Sequence, residues 1–177
     1  MTEITKTITS TPLIRAAGGF IVVSGIVSVF GIIFLVTMFA LFGRQRMELG
    51  GTFGLLNDVI VALQYLLTIP VAIALYKILS PYNPSLIRIS TIIGVVSMVA
   101  VIILQLALIF EVLTFQQQGI WASLAILLGI GSWLVITGLV ARSTEIFPDS
   151  MLMSSIAVPY FGFPVWAIWL GRILLKL

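Results

Sequence analysis

Five long apolar runs set the terms for this chain. They occupy residues 13–42, 54–78, 88–113, 120–141 and 152–174. A membrane-spanning helix needs about 20 apolar residues, because the hydrocarbon core is about 30 Å thick. Each run meets that length. The expected architecture is therefore all-α: one polytopic membrane bundle of five transmembrane helices, with residues 1–177 forming a single domain. Charge agrees. Only 8% of the 177 residues are charged and 60% are hydrophobic, whereas soluble domains carry roughly 25% charge. A water-soluble fold this short leaves too much surface exposed to hide so many apolar side chains.

The ends of the runs carry helix signals. Ser10-Thr11-Pro12 offers a cap and a first-turn proline, Asn83-Pro84 does the same for the third run, and Asp149 or Ser150 can cap the fifth. Short connections make sequential helices antiparallel neighbours. The first run is too long for a cleaved signal peptide. At 1.5 Å per residue it extends about 45 Å, so tilt or an interfacial first turn carrying Arg15 must absorb the excess.

The chain contains no cysteine and no histidine. Thiolate and imidazole chemistry is excluded, and with it Cys/His zinc sites, a Cys nucleophile, a His base and His-ligated haem. No phosphate or metal motif is present, so an enzyme is not expected and no cofactor is implied. The net charge is +3 and the pI about 9.6, but the basic residues are scattered. They form no patch that would grip a nucleic acid.

Five crossings place Lys6, Arg15, Lys77, Arg88 and Arg142 on the N-terminal side. Arg44, Arg46, Arg172 and Lys176 then share the other. That is almost no bias under the positive-inside rule. The uncharged loop "TFQQQGI" reads as non-cytoplasmic and puts the N-terminus inside. The alternative is a re-entrant fifth run bent at "PYFGFP", which brings both ends to the cytoplasmic face and the cationic bias to seven against two.

Lipid provides no hydrophobic drive for helices to associate, so small residues must let them pack closely. Ser24, Ser28 and Gly31 form such a stripe at i, i+4 and i+7. Ser90, Gly94 and Ser97 repeat the spacing, as do Ala125, Gly129 and Ser132. Ordinary helix packing is the expected use; a hydroxyl-lined groove is the alternative. Pro70, Pro159, Gly162 and Pro164 should bend or loosen the second and fifth helices. Trp121 and Trp169 fit an aromatic belt opposite the N-terminus, Tyr76 fits the other belt, and Trp133 reads as packing.

The polar residues of the spans are few. Asp58 lies near the outer end of the second helix and Glu111 near the outer end of the third. Gln64 and Gln105 each lie six residues further in, about 9 Å deeper. Acid should therefore sit beside acid, and amide beside amide, in depth. Asn57 and Gln64 are seven apart and share a face. With Arg172 placed at the same level, the candidate site is Asn57, Asp58, Gln64, Gln105, Glu111 and Arg172. Its first reading is structural, with Arg172 or Arg44 pairing with Asp58 or Glu111. The others are a shallow pocket for a cation, proton or headgroup, and a transport pathway. Mid-depth is where transport sites usually lie, which disfavours the last.

Three short motifs add a resemblance: Asn57-Asp58, Ala74-Leu75-Tyr76 before a basic helix end, and Trp166 to Arg172 as W-x-x-W-L-G-R. In their order along the spans they resemble uncharacterised multi-pass bacterial integral-membrane proteins. That resemblance implies a bacterial inner-membrane location and no particular activity. The function expected is non-catalytic: an accessory or scaffolding subunit that associates with other membrane subunits or itself, within membrane lipid. The alternative is a small transporter or a lipid- or small-molecule-binding protein using a pocket at Asp58 and Glu111.

Overall fold

The computed structural model describes residues 12–144 and 162–177. Every element among them is helical. Four helices are long and apolar enough to cross a membrane: α1 (Pro12–Gly43), α2 (Met47–Leu79), α3 (Pro84–Ile109) and α4 (Phe115–Arg142). A shorter apolar helix, α5 (Phe163–Leu174), completes a five-helix bundle. Within α4, residues Ala125–Ile130 form a wider π-helical turn.

Local chemistry explains most boundaries. Asn83 caps α3 by accepting the Leu86 N–H at 3.2 Å, and Pro84 occupies the first turn. Pro12 opens α1; the caps expected from Ser10, Thr11, Asp149 and Ser150 lie outside the described residues, as does Pro159. The expected loop "TFQQQGI" is instead mostly helix. Thr114 Oγ1 accepts the Gln117 N–H at 3.3 Å, and Gln117 Oε1 accepts the Thr114 N–H at 3.1 Å. This reciprocal box starts α4 at Phe115 rather than at residue 120. α2 likewise begins at Met47, ahead of the apolar run.

The small-residue stripes are used inside the bundle. A Cβ at Gly31 would lie 2.9 Å from Ile60 of α2. One at Gly94 would strike the Trp133 ring, and one at Gly129 the Ser97 side chain. These contacts make α1–α2 and α3–α4 antiparallel pairs. Hydroxyls reinforce them at mid-depth. Ser24 Oγ donates to the Gln64 carbonyl at 3.1 Å and lies 3.2 Å from Thr68 Oγ1, which donates to the same carbonyl at 2.7 Å. Ser90 and Thr137 lie 3.5 Å apart between α3 and α4. Trp133, only 1% exposed, meets Trp166 of α5 edge-on at 6.4 Å, so it packs as expected.

The course of α5 reverses one expectation. Gly25 of α1 faces Pro164, Ala167 and Ile168, whereas Gly18 faces Leu174 and Leu175. α5 therefore runs antiparallel to α1, starting at mid-depth and ending at the Pro12 face. Its 12 residues rise only about 18 Å. Arg142 ends α4 on that same face, so both described ends of the chain emerge together. This is the direction that the re-entrant alternative gives the last helix; the first half of the expected bend at "PYFGFP" lies outside the described residues. Trp169 consequently sits in the Pro12 half of the bundle, not in the opposite belt. Gly171 is what allows the approach, because a Cβ there would lie 2.8 Å from the Gly18 carbonyl oxygen.

Gly171→Ala should lower stability by about 1–3 kcal/mol, since the obstructing atom is backbone. Gly19→Ala, which meets open space, should leave stability unchanged or raise it by up to about 1 kcal/mol. Thermal unfolding in detergent checks both. The topology is testable because the native chain has no cysteine. Single cysteines replacing exposed Tyr82, Ser143 or Lys176 should react with an impermeant maleimide from one side of the membrane. Those replacing exposed Gln45 or Gln116 should react from the other.

Candidate functional site

The hairpin of α1 and α2 overhangs its neighbours. α2 has 33 residues and α3 has 26, and both start from the tight turn at residues 80–83. The excess amounts to about 10 Å of helix. Beneath that overhang, above the α3–α4 turn, lies a groove of about 690 Å³. Pockets of 300–1,000 Å³ are the usual size for small molecules of drug dimensions.

α1 lines the groove with Met38, Phe39 and Phe42. α2 contributes Gly51, Gly54, Leu55, Asn57 and Asp58. The end of α3 and its turn supply Leu108, Ile109 and Glu111, and Phe115 opens α4. The apolar walls lie toward the hairpin tip, and Asp58 lies at the inner end of the α2 wall. Glycine creates the space on α2: a Cβ at Gly51 would touch nothing within 4 Å.

Asp58 and Glu111, 53 positions apart in sequence, line the same groove. Asp58 is half-buried, with Asn57 beside it on the groove lining. No ion pair joins either carboxylate to a cation among the described residues. Arg44 is exposed in the α1–α2 turn without reaching them. Arg172 does not belong at this level. It follows Gly171, which packs on Gly18, whereas Gly31 is the α1 residue beside Asn57 and Ile60. Thirteen residues of α1 separate Gly18 from Gly31, about 20 Å of helix. The reason is the reversed direction of α5.

The two glutamines do not meet as a pair. Gln64 is half-buried and shares with Asn57 a crevice of about 20 Å³ between α1 and α2, which Ser28, Gly31 and Tyr65 also line. That volume admits about one water. Gln105, 5% exposed, keeps its Oε1 without a hydrogen-bond partner. Residue chemistry alone did not mark Phe39, Phe42, Gly51 or Phe115 as site residues. The T-x-x-Q box at Thr114 was the available signal for Phe115, because it places that residue on the first turn of α4.

Glu111 stands in unusual backbone geometry. The Val112 N–H donates to the Ala107 carbonyl at 2.8 Å and the Glu111 N–H to Leu108 at 3.0 Å. These two bonds form a Schellman helix end, whose left-handed position normally holds glycine. Glu111 occupies it with φ 58°. A side chain there is disfavoured by about 1–2 kcal/mol relative to right-handed backbone. The strain points to a use for the carboxylate beyond ending the helix.

Comparison with protein-family models, curated proteins and solved structures finds no match to this chain.

Glu111→Gly should leave stability within about 0.5 kcal/mol of the parent or raise it, because relief of the φ strain offsets glycine's freedom in the unfolded chain. Glu111→Val should cost more than about 1 kcal/mol, a β-branched residue being a poor occupant of positive φ. Unfolding titrations in mixed micelles measure both. A clear destabilisation by Gly would mean that the carboxylate itself supports the fold.

Proposed function

We propose that this chain is a non-catalytic membrane protein that holds an amphiphilic small molecule in the groove beneath the α1–α2 overhang. One observation carries the reading: a cavity of small-molecule size combines apolar walls with two carboxylates that have no cationic partner among the described residues. Carboxylates used only to fix helices would be expected to contact a cation. The absence of cysteine and histidine from the chain favours binding over catalysis. Among the described residues, no cluster of three potential metal ligands exists.

The small-residue stripes are filled by neighbouring helices of this chain, so they offer no free docking face that would favour the accessory-subunit reading. Orientation draws support from the packing. Arg15, Lys77, Arg88, Arg142, Arg172 and Lys176 gather toward the Pro12 face, against Arg44 and Arg46 at the other. The positive-inside rule then makes the Pro12 face cytoplasmic and opens the groove outward. The bacterial inner membrane is the location that the short motif resemblance implies.

Gly51→Phe tests the proposal, because its side chain fills the groove from a position with free space. Binding of a fluorescent amphiphile to the purified protein should weaken at least tenfold, with the melting temperature unchanged. Undiminished binding would reject the groove. Native mass spectrometry that found stoichiometric partner subunits and no retained small molecule would return the accessory reading.

A further inference from the structure

Resting on that reading, we infer that the groove's occupant is a lipophilic ammonium: a compact apolar molecule with a single positive nitrogen. Charge complementarity is the first argument. Asp58 and Glu111 put two formal negative charges on the lining, and no Lys or Arg is among the residues that form it. A sulfate, phosphate or carboxylate headgroup would meet like charge with nothing to bind it. The same reasoning excludes an ordinary zwitterionic phospholipid, whose phosphate would have to enter with its ammonium.

The walls decide which cation. Phe39, Phe42 and Phe115 line the groove together with the two acids. Aromatic faces attract weakly hydrated ammonium groups through their quadrupole, and recognition of quaternary ammonium uses such rings. A strongly hydrated metal ion gains little from phenyl rings, and its coordination calls for more oxygen ligands than this lining presents. Met38, Leu55, Leu108 and Ile109 give the apolar body of the molecule its contacts. Because Asp58 closes the inner end of the α2 wall while Phe39, Phe42 and Leu55 lie toward the hairpin tip, the nitrogen enters first. The apolar part trails outward along the overhang.

Glu111 acquires a purpose in this arrangement. Its position on the α3–α4 turn adds a second carboxylate to the lining, and glycine, the better backbone choice at φ 58°, would supply none. The two acids then give the groove negative charge from two elements.

The test uses purified full-length protein and three fluorescent probes of equal length: one ending in trimethylammonium, its neutral tert-butyl isostere, and a sulfonate. The cation should bind at least tenfold more tightly than the neutral probe, and the sulfonate more weakly than either. Asp58→Asn and Glu111→Gln should each reduce affinity for the cation about five- to tenfold and leave the neutral probe unaffected. Glu111→Gly should do the same, which separates loss of charge from loss of fold. Equal binding of cation and neutral probe by the parent protein would overturn the ammonium inference while the groove reading stands. Binding of every probe that is insensitive to Gly51→Phe would overturn both. Displacement of the cationic probe by an equal concentration of tetramethylammonium would mean that a free small cation, not a lipophilic one, is the occupant.

Discussion

Close approach of helix backbones is the constraint on which this bundle depends. In lipid, burying a leucine against another helix gains little over burying it against acyl chains, so specificity must come from packing at short range. Gly31 against Ile60, Gly94 beneath Trp133 and Gly129 beside Ser97 are the places where a side chain is omitted to allow that approach. A backbone-to-backbone junction joins Gly171 to the Gly18 carbonyl and holds a short helix that could not cross the membrane by itself. Hydroxyls at Ser24 and Thr68 add bonds where no water competes, fastening α1 to α2 through the Gln64 carbonyl.

The groove follows from unequal lengths. Because α2 outruns α3 by seven residues, 33 against 26, the α1–α2 hairpin has no neighbour at its tip on one side among the described residues. Gly51 leaves that side open, while Phe42 and Met38, the latter packed on Gly54, supply its apolar wall. The α3–α4 turn forms the floor. It ends α3 tightly through a left-handed Glu111 and restarts the chain at once through the Thr114 box. A looser connection would carry the second carboxylate away from the groove. The same turn that shortens the helix pair thus builds the polar end of the site.

Much of this was readable beforehand because it depends on local chemistry. The Asn83-Pro84 start of α3, the packing role of Trp133 and the small-residue stripes all follow from side-chain size and capping groups. Counting residues along antiparallel helices placed Asp58 and Glu111 toward the outer ends of their spans, since rise per residue is fixed, and both line the groove. Arg172 failed for the complementary reason. Counting tells how far a residue lies from its helix end but not which way a helix runs once a connection of many residues precedes it. The direction of α5 is set by Gly18, Gly25 and Gly171, whose partners are 139 or more positions away in sequence.

Sequence by itself determined the solvent and the class. So few charges over such long apolar runs demand lipid, and lipid demands helices whose backbone bonds close internally. It also determined the absence of thiol and imidazole chemistry. Only the tertiary structure decided that the last helix turns back toward the Pro12 face, that three phenylalanines join two acids around one groove, and that no arginine among the described residues neutralises those acids. The physical reason is separation along the chain. Helix formation is driven within a few residues, whereas the contacts that aim α5 and enclose the groove join segments whose mutual fit shows only when the backbones are packed.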